Sequence, residues 1–123
     1  MRGSFGSVLR RSILTALLLI TSSLSSVQAQ DNLGKWESFD FAASPVELSQ
    51  LKDLSLDDLK FLRGIVFGRH GRVFKDAYIQ GYLKERSWYK PDPGFQNSSL
   101  SETERRNLDV IREAEARQHD QIE

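Results

Sequence analysis

The first 29 residues of this chain read as a detachable leader, and that division bounds everything that follows. Arg2, Arg10 and Arg11 precede an apolar run from Ile13 to Ile20, and a Ser-rich stretch then leads to Val27-Gln28-Ala29. A basic start, a short apolar segment and a small-x-small end are the three parts of a secretory signal peptide, with cleavage expected after Ala29. The run falls far short of the roughly 20 apolar residues that cross a bilayer core, so no permanent transmembrane helix is predicted. Arg10-Arg11-Ser12-Ile13-Leu14 also resembles a twin-arginine signal, but Leu9 and Thr15 fit that pattern poorly and ordinary Sec export is the expectation. A lipid-accepting leader needs a cysteine at the cut, and the chain has none. The expected product is free in the periplasm or the medium, without a stable membrane anchor.

What remains has room for one small domain and a tail. An oxidising compartment would permit disulfides, but with no cysteine the domain must hold together by packing alone. All 17 acidic residues follow the leader while three of the 17 Lys and Arg lie within it, which leaves 14 basic residues and a net charge of −3. A binder of nucleic acid or of an anionic membrane surface normally carries a basic excess, and none is present.

The sequence pattern predicts a mainly α fold: three to four short helices and an ordered loop rich in aromatics and proline. Residues 30–43 show no helical period and read as a tether, with Trp36, Phe39 and Phe41 either docking on the domain or contacting a partner. The domain is expected over 44–117. Ser44-Pro45-Val46-Glu47 has the form of a capping box with proline at the first helical position, predicting a short helix to about Asp53. Ser55 then caps a second helix whose Leu59, Leu62 and Val66 share a stripe flanked by Phe61 and Ile65, with Gly71 as its left-handed stop. Gly64 and Gly68, four residues apart, form a smooth strip on that helix, open to another backbone or to a partner protein. Asp76 opens a third helix, ending near Ser87, and two prolines keep Trp88 to Phe95 out of helix. Ser101-Glu102-Thr103-Glu104 is a second capping box, for a last helix with Leu108, Ile111 and Ala114 on one face. A frayed tail is expected over 118–123.

Phe67-Gly68-Arg69-His70-Gly71, followed by Phe74 and, after the next helix, by Trp88-Tyr89, resembles the YARHG domain, a family named for its Tyr-Ala-Arg-His-Gly motif. The resemblance runs from about Val46 to Glu115 and includes the Leu-Ser-x-x-Glu start of the last helix at Leu100 to Glu104. It implies a small domain in an exported or extracellular bacterial protein, and it implies no activity. Phe67 stands in place of the motif's Tyr, Gly68 in place of its Ala, Gly64 in place of a usual Asn and Ile65 in place of a usual Glu.

Four residues are the candidate site: Arg69, His70, Trp88 and Tyr89. His70 has the chemistry of a general acid or base, but no Ser or Cys nucleophile stands in a recognisable motif around it. The alternative is structural, a histidine contacting the last helical carbonyls and filling space beside Trp88. Arg69 offers a planar donor fork and the two aromatics offer stacking faces, a set suited to a carboxylate or a sugar-peptide fragment of the cell wall. Equally, Arg69 can hold an acidic residue such as Asp58 or Asp92. Two histidines and no cysteine make a poor metal set, so neither a metal nor a cofactor is expected. The expectation for function is a non-catalytic module that binds a cell-envelope component or another exported protein. The alternatives are a small hydrolase or amidase using His70, and an inhibitor or accessory partner docking through the Gly64 to Gly68 strip.

Overall fold

A computed structural model describes residues 32–122. The leader and its cleavage site therefore lie outside the described residues. Every regular element is helical: α1 is Leu56–Gly68, α2 is Ala77–Lys84 and α3 is Glu102–Ile122, with 3-10 turns at Leu48–Leu51 and Asn97–Ser99 and a helical stretch at 32–37. No strand occurs among the described residues.

Helix α1 starts where a reciprocal cap satisfies both ends of its first turn. The Asp58 amide donates to Ser55 Oγ at 3.1 Å, and the Ser55 amide donates to Asp58 Oδ2 at 3.2 Å. The helix ends at Gly68, and the chain turns through Arg69 and His70 to Gly71 at φ 86°, a conformation glycine adopts without steric cost. Glycine is needed there for a second reason. A Cβ on Gly71 would stand 2.5 Å from the Lys90 carbonyl oxygen and 2.9 Å from the Asp92 amide nitrogen, which itself donates to Gly71 O at 2.7 Å.

Helix α1 is the hub, packed against both α2 and α3, while the turn Leu48–Leu51 rests on α3. Leu59, Leu62, Ile65 and Val66 are fully buried and meet Leu108, Ile111 and Ala114 of α3 in one core, as the 3.6-residue period requires. Arg63 ties the same two helices at their margin with a bidentate pair to Glu115, at 2.7 and 3.2 Å. Helix α2 meets α1 differently. Cβ atoms built on Gly64 and Gly68 would fall 2.7 Å from Ile79 Cγ2 and 2.5 Å from Leu83 Cδ2, so the two glycines are sockets for these side chains. The smooth strip is thus filled from within the chain and is not the exposed patch an accessory partner would use.

Two other expectations change. The capping box at Ser44 to Glu47 does not start a helix at Pro45; only the 3-10 turn Leu48–Leu51 forms, with the Glu47 amide donating to Gln50 Oε1 at 2.8 Å. The cause is Asn107, a buried side chain on α3. Its Oδ1 accepts from the Val46 amide at 2.7 Å and its Nδ2 donates to Phe41 O and Ser44 O at 3.0 and 2.9 Å. Backbone groups that a helix would have used are committed to α3 instead. At the other end α3 continues past Arg117 to Ile122, held where Gln118 Nε2 donates to Leu54 O at 3.0 Å.

Residues 32–43, read as a tether, bring Trp36 and Phe41 into the main core. Phe39 packs between them, with ring centroids 5.1 Å from Trp36 and 4.9 Å from Phe41. Ile79, Leu83 and Tyr89 form a smaller second cluster under α2 and the aromatic loop.

Candidate functional site

Arg69 and His70 leave the end of α1 in different directions. Arg69 reaches toward the segment before the domain's first turn. Its Nη1 donates to Phe39 O, and its Nη2 donates to Glu37 O and, at 3.0 Å, to Trp36 O. The guanidinium carbon lies 5.0 Å from the centre of the Phe41 ring and 6.0 Å from that of Trp88. Burial lowers the Arg69 pKa from its ordinary value, and the charges of Asp40, Glu104 and Glu37 partly oppose that effect. Neither expected carboxylate partner is involved: Asp58 caps α1, and Asp92 Oδ1 accepts from the Gly94 amide at 2.9 Å.

His70 turns to α3. Its Nε2 is 2.6 Å from Glu104 Oε2, and Glu104 is almost wholly buried. The second oxygen of the same carboxylate accepts from the Ser101 amide at 2.9 Å, while the Glu104 amide donates to Ser101 Oγ at 3.1 Å. One glutamate therefore closes the capping box of α3 and holds the motif histidine. The ring beside His70 is Phe95, at 6.2 Å between centroids, rather than Trp88.

Of the aromatic pair, Trp88 stacks near Arg69, and its indole meets Tyr89 edge to face at 6.5 Å. Tyr89 belongs to the second cluster, with its hydroxyl donating to Arg72 O at 2.8 Å and accepting from Gln80 Nε2 at 3.1 Å. The structure thus brings Arg69 to Trp88 and Trp88 to Tyr89, and sends His70 to α3.

A second polar group escaped the sequence reading. Tyr82 Oη donates to Glu37 Oε1, Arg86 Nη1 donates to the same oxygen at 2.9 Å, and the Arg86 guanidinium lies 4.4 Å from the Tyr82 ring centre. Burial works against ionisation of Glu37, but the hydrogen bonds from Tyr82 and Arg86 and the charges of Arg86 and Arg69 outweigh it and hold its pKa below the ordinary 4.5. Burial and the neighbouring Glu37 raise the Tyr82 phenol above its usual 10. Glu37 lies 45 residues before Tyr82, and no local pattern marks such a pair.

Surface grooves lie elsewhere. One of about 410 Å³ runs between Leu48–Leu51 and the end of α3, bordered by Lys52 and Arg117. Another of about 380 Å³ separates Phe61 from the exposed Tyr78. A third, of about 270 Å³, opens beside Phe67 between Asn97 and Arg112. No cluster of three His, Cys, Asp or Glu side chains suited to a metal ion occurs among the described residues.

The order of these elements, from the Leu-rich turn through Arg69-His70-Gly71 to the Leu100 to Glu104 helix start, agrees with a family model: the YARHG domain matches residues 37–116. This chain belongs to the YARHG family. The match begins one residue after Trp36, so the domain's core includes a tryptophan just outside its family boundary. Among solved structures, the YARHG chain is similar to a protein from Legionella pneumophila that carries the provisional description of a nutrient binding protein, with 31% sequence identity and a TM-score of 0.51. The likeness covers 68% of this chain and 25% of that one, so this chain matches about a quarter of that protein's length. No curated protein matches.

Proposed function

We propose that this YARHG chain is a non-catalytic exported module that binds a cell-envelope component or another exported protein. The observation that carries the reading is the use of the motif's polar groups inside the fold: Arg69 on three backbone carbonyls, His70 on Glu104 and Tyr89 on Arg72 O. Groups that bond their own chain serve to build a binding surface more readily than to turn over a substrate. The Legionella neighbour supports the same reading, since its description concerns binding. Export rests on the leader, with cleavage after Ala29 and release to the periplasm or medium.

The chain beginning at Gln30, incubated with purified cell wall and used as bait against an envelope extract, should co-sediment with the wall or retain one exported protein in stoichiometric amount. Failure in both assays would end the proposal.

One observation favours a second reading. A buried carboxylate 2.6 Å from an imidazole is the arrangement that orients a general base, which a small hydrolase or amidase would require. Release of soluble fragments from cell wall by the wild type, lost in a folded His70→Ala variant, would favour it over the binding module.

A further inference from the structure

The groove between Phe61 and Tyr78 combines accessible aromatic surface with polar groups that the fold leaves uncommitted. Asp57, Lys60 and Phe61 of α1 border it on one side, and Asp76, Tyr78 and the buried Ile79 on the other. Tyr78 is 82% exposed, more than any other large hydrophobic side chain among the described residues. Phe61 is partly exposed, and its ring is fixed by contact with Tyr82 at 5.0 Å between centroids. A lone exposed ring means little, so the polar groups decide. Asp57 lies three residues before Lys60 and four before Phe61, which places the three on one face of α1. The Asp57 carboxylate, the Lys60 ammonium and the Tyr78 hydroxyl make no hydrogen bond or ion pair among the described residues. Asp76 commits one oxygen, Oδ1, which accepts from the Tyr78 and Ile79 amides at 2.9 and 3.2 Å and leaves Oδ2 unbonded. The other two grooves differ. The one beside Leu48 holds no aromatic ring, and its Arg117 is paired with Glu113 at 2.8 Å. In the one beside Phe67 the apolar side chains are almost wholly buried.

We infer that this groove binds a neutral sugar ring, an inference that rests on the reading of the chain as a binding module. The C–H face of the sugar lies on the electron-rich face of Tyr78, with Phe61 opposite. Its hydroxyls donate to the Asp57 carboxylate and to Asp76 Oδ2, and accept from Lys60 and the Tyr78 hydroxyl. Charge selects this class of ligand. Two carboxylates and one ammonium leave the groove with one net negative charge, which disfavours an anion, while Lys60 opposes a cation. A neutral polyhydroxyl ring gives every uncommitted group a partner. At about 380 Å³ the groove is within the usual range for small-molecule sites, which pair apolar walls with a few placed polar groups. None of its residues belongs to the set Arg69, His70, Trp88 and Tyr89, whose polar heads bond within the fold or stack against it.

The test uses the chain from Gln30, labelled with nitrogen-15 and titrated with glucose, N-acetylglucosamine and chitotriose as neutral probes and with glucuronate as the anionic one. Saturable amide shifts are expected at Lys60, Phe61, Tyr78 and Ile79 with at least one neutral probe. Binding should weaken about tenfold in Tyr78→Ala, the loss of one stacking face, and about fivefold in Asp57→Asn, the loss of one charged acceptor. Both side chains are exposed, so the variants should keep their circular dichroism and thermal midpoints. Groove amides unmoved by all three neutral probes, tighter binding of glucuronate than of the neutral sugars, or unchanged binding by folded Tyr78→Ala would overturn the site. Chitotriose binding at least about tenfold tighter than N-acetylglucosamine would support the site with a glycan chain as its ligand, and equal binding would support it with a free sugar. If the chain captures an envelope partner but moves no groove amide with any sugar, only the site fails. If it binds a sugar but neither co-sediments with cell wall nor retains an exported protein, the site stands and the broader proposal fails.

Discussion

Arg69 and His70 are chain neighbours that hold two different parts of the molecule in different ways. Arg69 holds the N-terminal aromatic segment through main-chain carbonyls and ring faces, contacts that many side chains at Trp36, Glu37 and Phe39 would equally permit. His70 holds α3 through one particular carboxylate, which also caps that helix. The first contact spreads over several acceptors and includes packing. The second rests on a single ionisable pair. The difference teaches that adjacent polar residues in a motif can hold separate elements by contacts of different kinds, and the spread contact of Arg69 is expected to carry the larger share of stability.

Substitution at Arg69 should break the comparison most severely. Arg69→Ala removes the guanidinium donors from three carbonyls, of which Trp36 O still accepts from the Phe39 amide, and removes packing on Phe41 and Trp88, an expected loss of about 3 kcal/mol by chemical denaturation. Arg69→Lys should recover little, because an ammonium lacks the planar fork. A loss below that of His70→Ala would reverse the ranking.

Gly71→Ala should rank next, at about 2 to 3 kcal/mol, since it combines positive φ with a Cβ directed at the Lys90 carbonyl. It disturbs the turn that aims both motif side chains, so hydrogen exchange should rise at 36–41 and at the start of α3 together. Exchange confined to one of the two would show that they are positioned independently.

His70→Ala leaves a buried oxygen of Glu104 without its partner and should cost about 1 to 2 kcal/mol, with the first turn of α3 most affected. Unchanged denaturation would free His70 from a structural duty and revive the general-base reading.

The smallest effect belongs to Glu37, which joins the N-terminal segment to α2. Its pKa is held below 4.5 in the folded protein, so its stabilising share is present above that value and is lost as pH falls through the folded pKa. Glu37→Gln should therefore be less stable than wild type at pH 7, by under about 1 kcal/mol for a partly exposed pair. The gap should close on acidification below pH 4.5. A gap that does not vary with pH would mean that the hydrogen bonds to Tyr82 and Arg86, rather than the charge, matter.

Local signals in the chain were legible wherever their partners lay within one turn. The Ser55 cap, the Asp76 cap, the box at Ser101 to Glu104 and the glycine stop at Gly71 pair groups two or three residues apart, the buried stripe of α1 repeats every three or four, and all are found in the fold. The box at Ser44 to Glu47 had the same form, yet Asn107 claimed the backbone it would have capped, from 61 residues away at Val46. The candidate site was legible as a set of residue types. Arg69 and Trp88 do meet, but the direction of each polar head was not in the pattern, because an arginine on carbonyl oxygens leaves no trace in the side chains it contacts.

The sequence by itself determined an all-helical domain without disulfide support, most of its caps and stops, and its place in the YARHG family. The helices, caps and stops follow from composition and from spacings of about one helical turn, and the family follows from several motifs in order along the chain. Only the tertiary structure decided that the N-terminal aromatic segment belongs to the core, that Gly64 and Gly68 are sockets for α2, and that the motif's polar heads point to different elements. Each of those outcomes depends on groups brought together across 15 to 66 residues. Contacts of that kind are selected by packing in three dimensions and leave no fixed spacing to read.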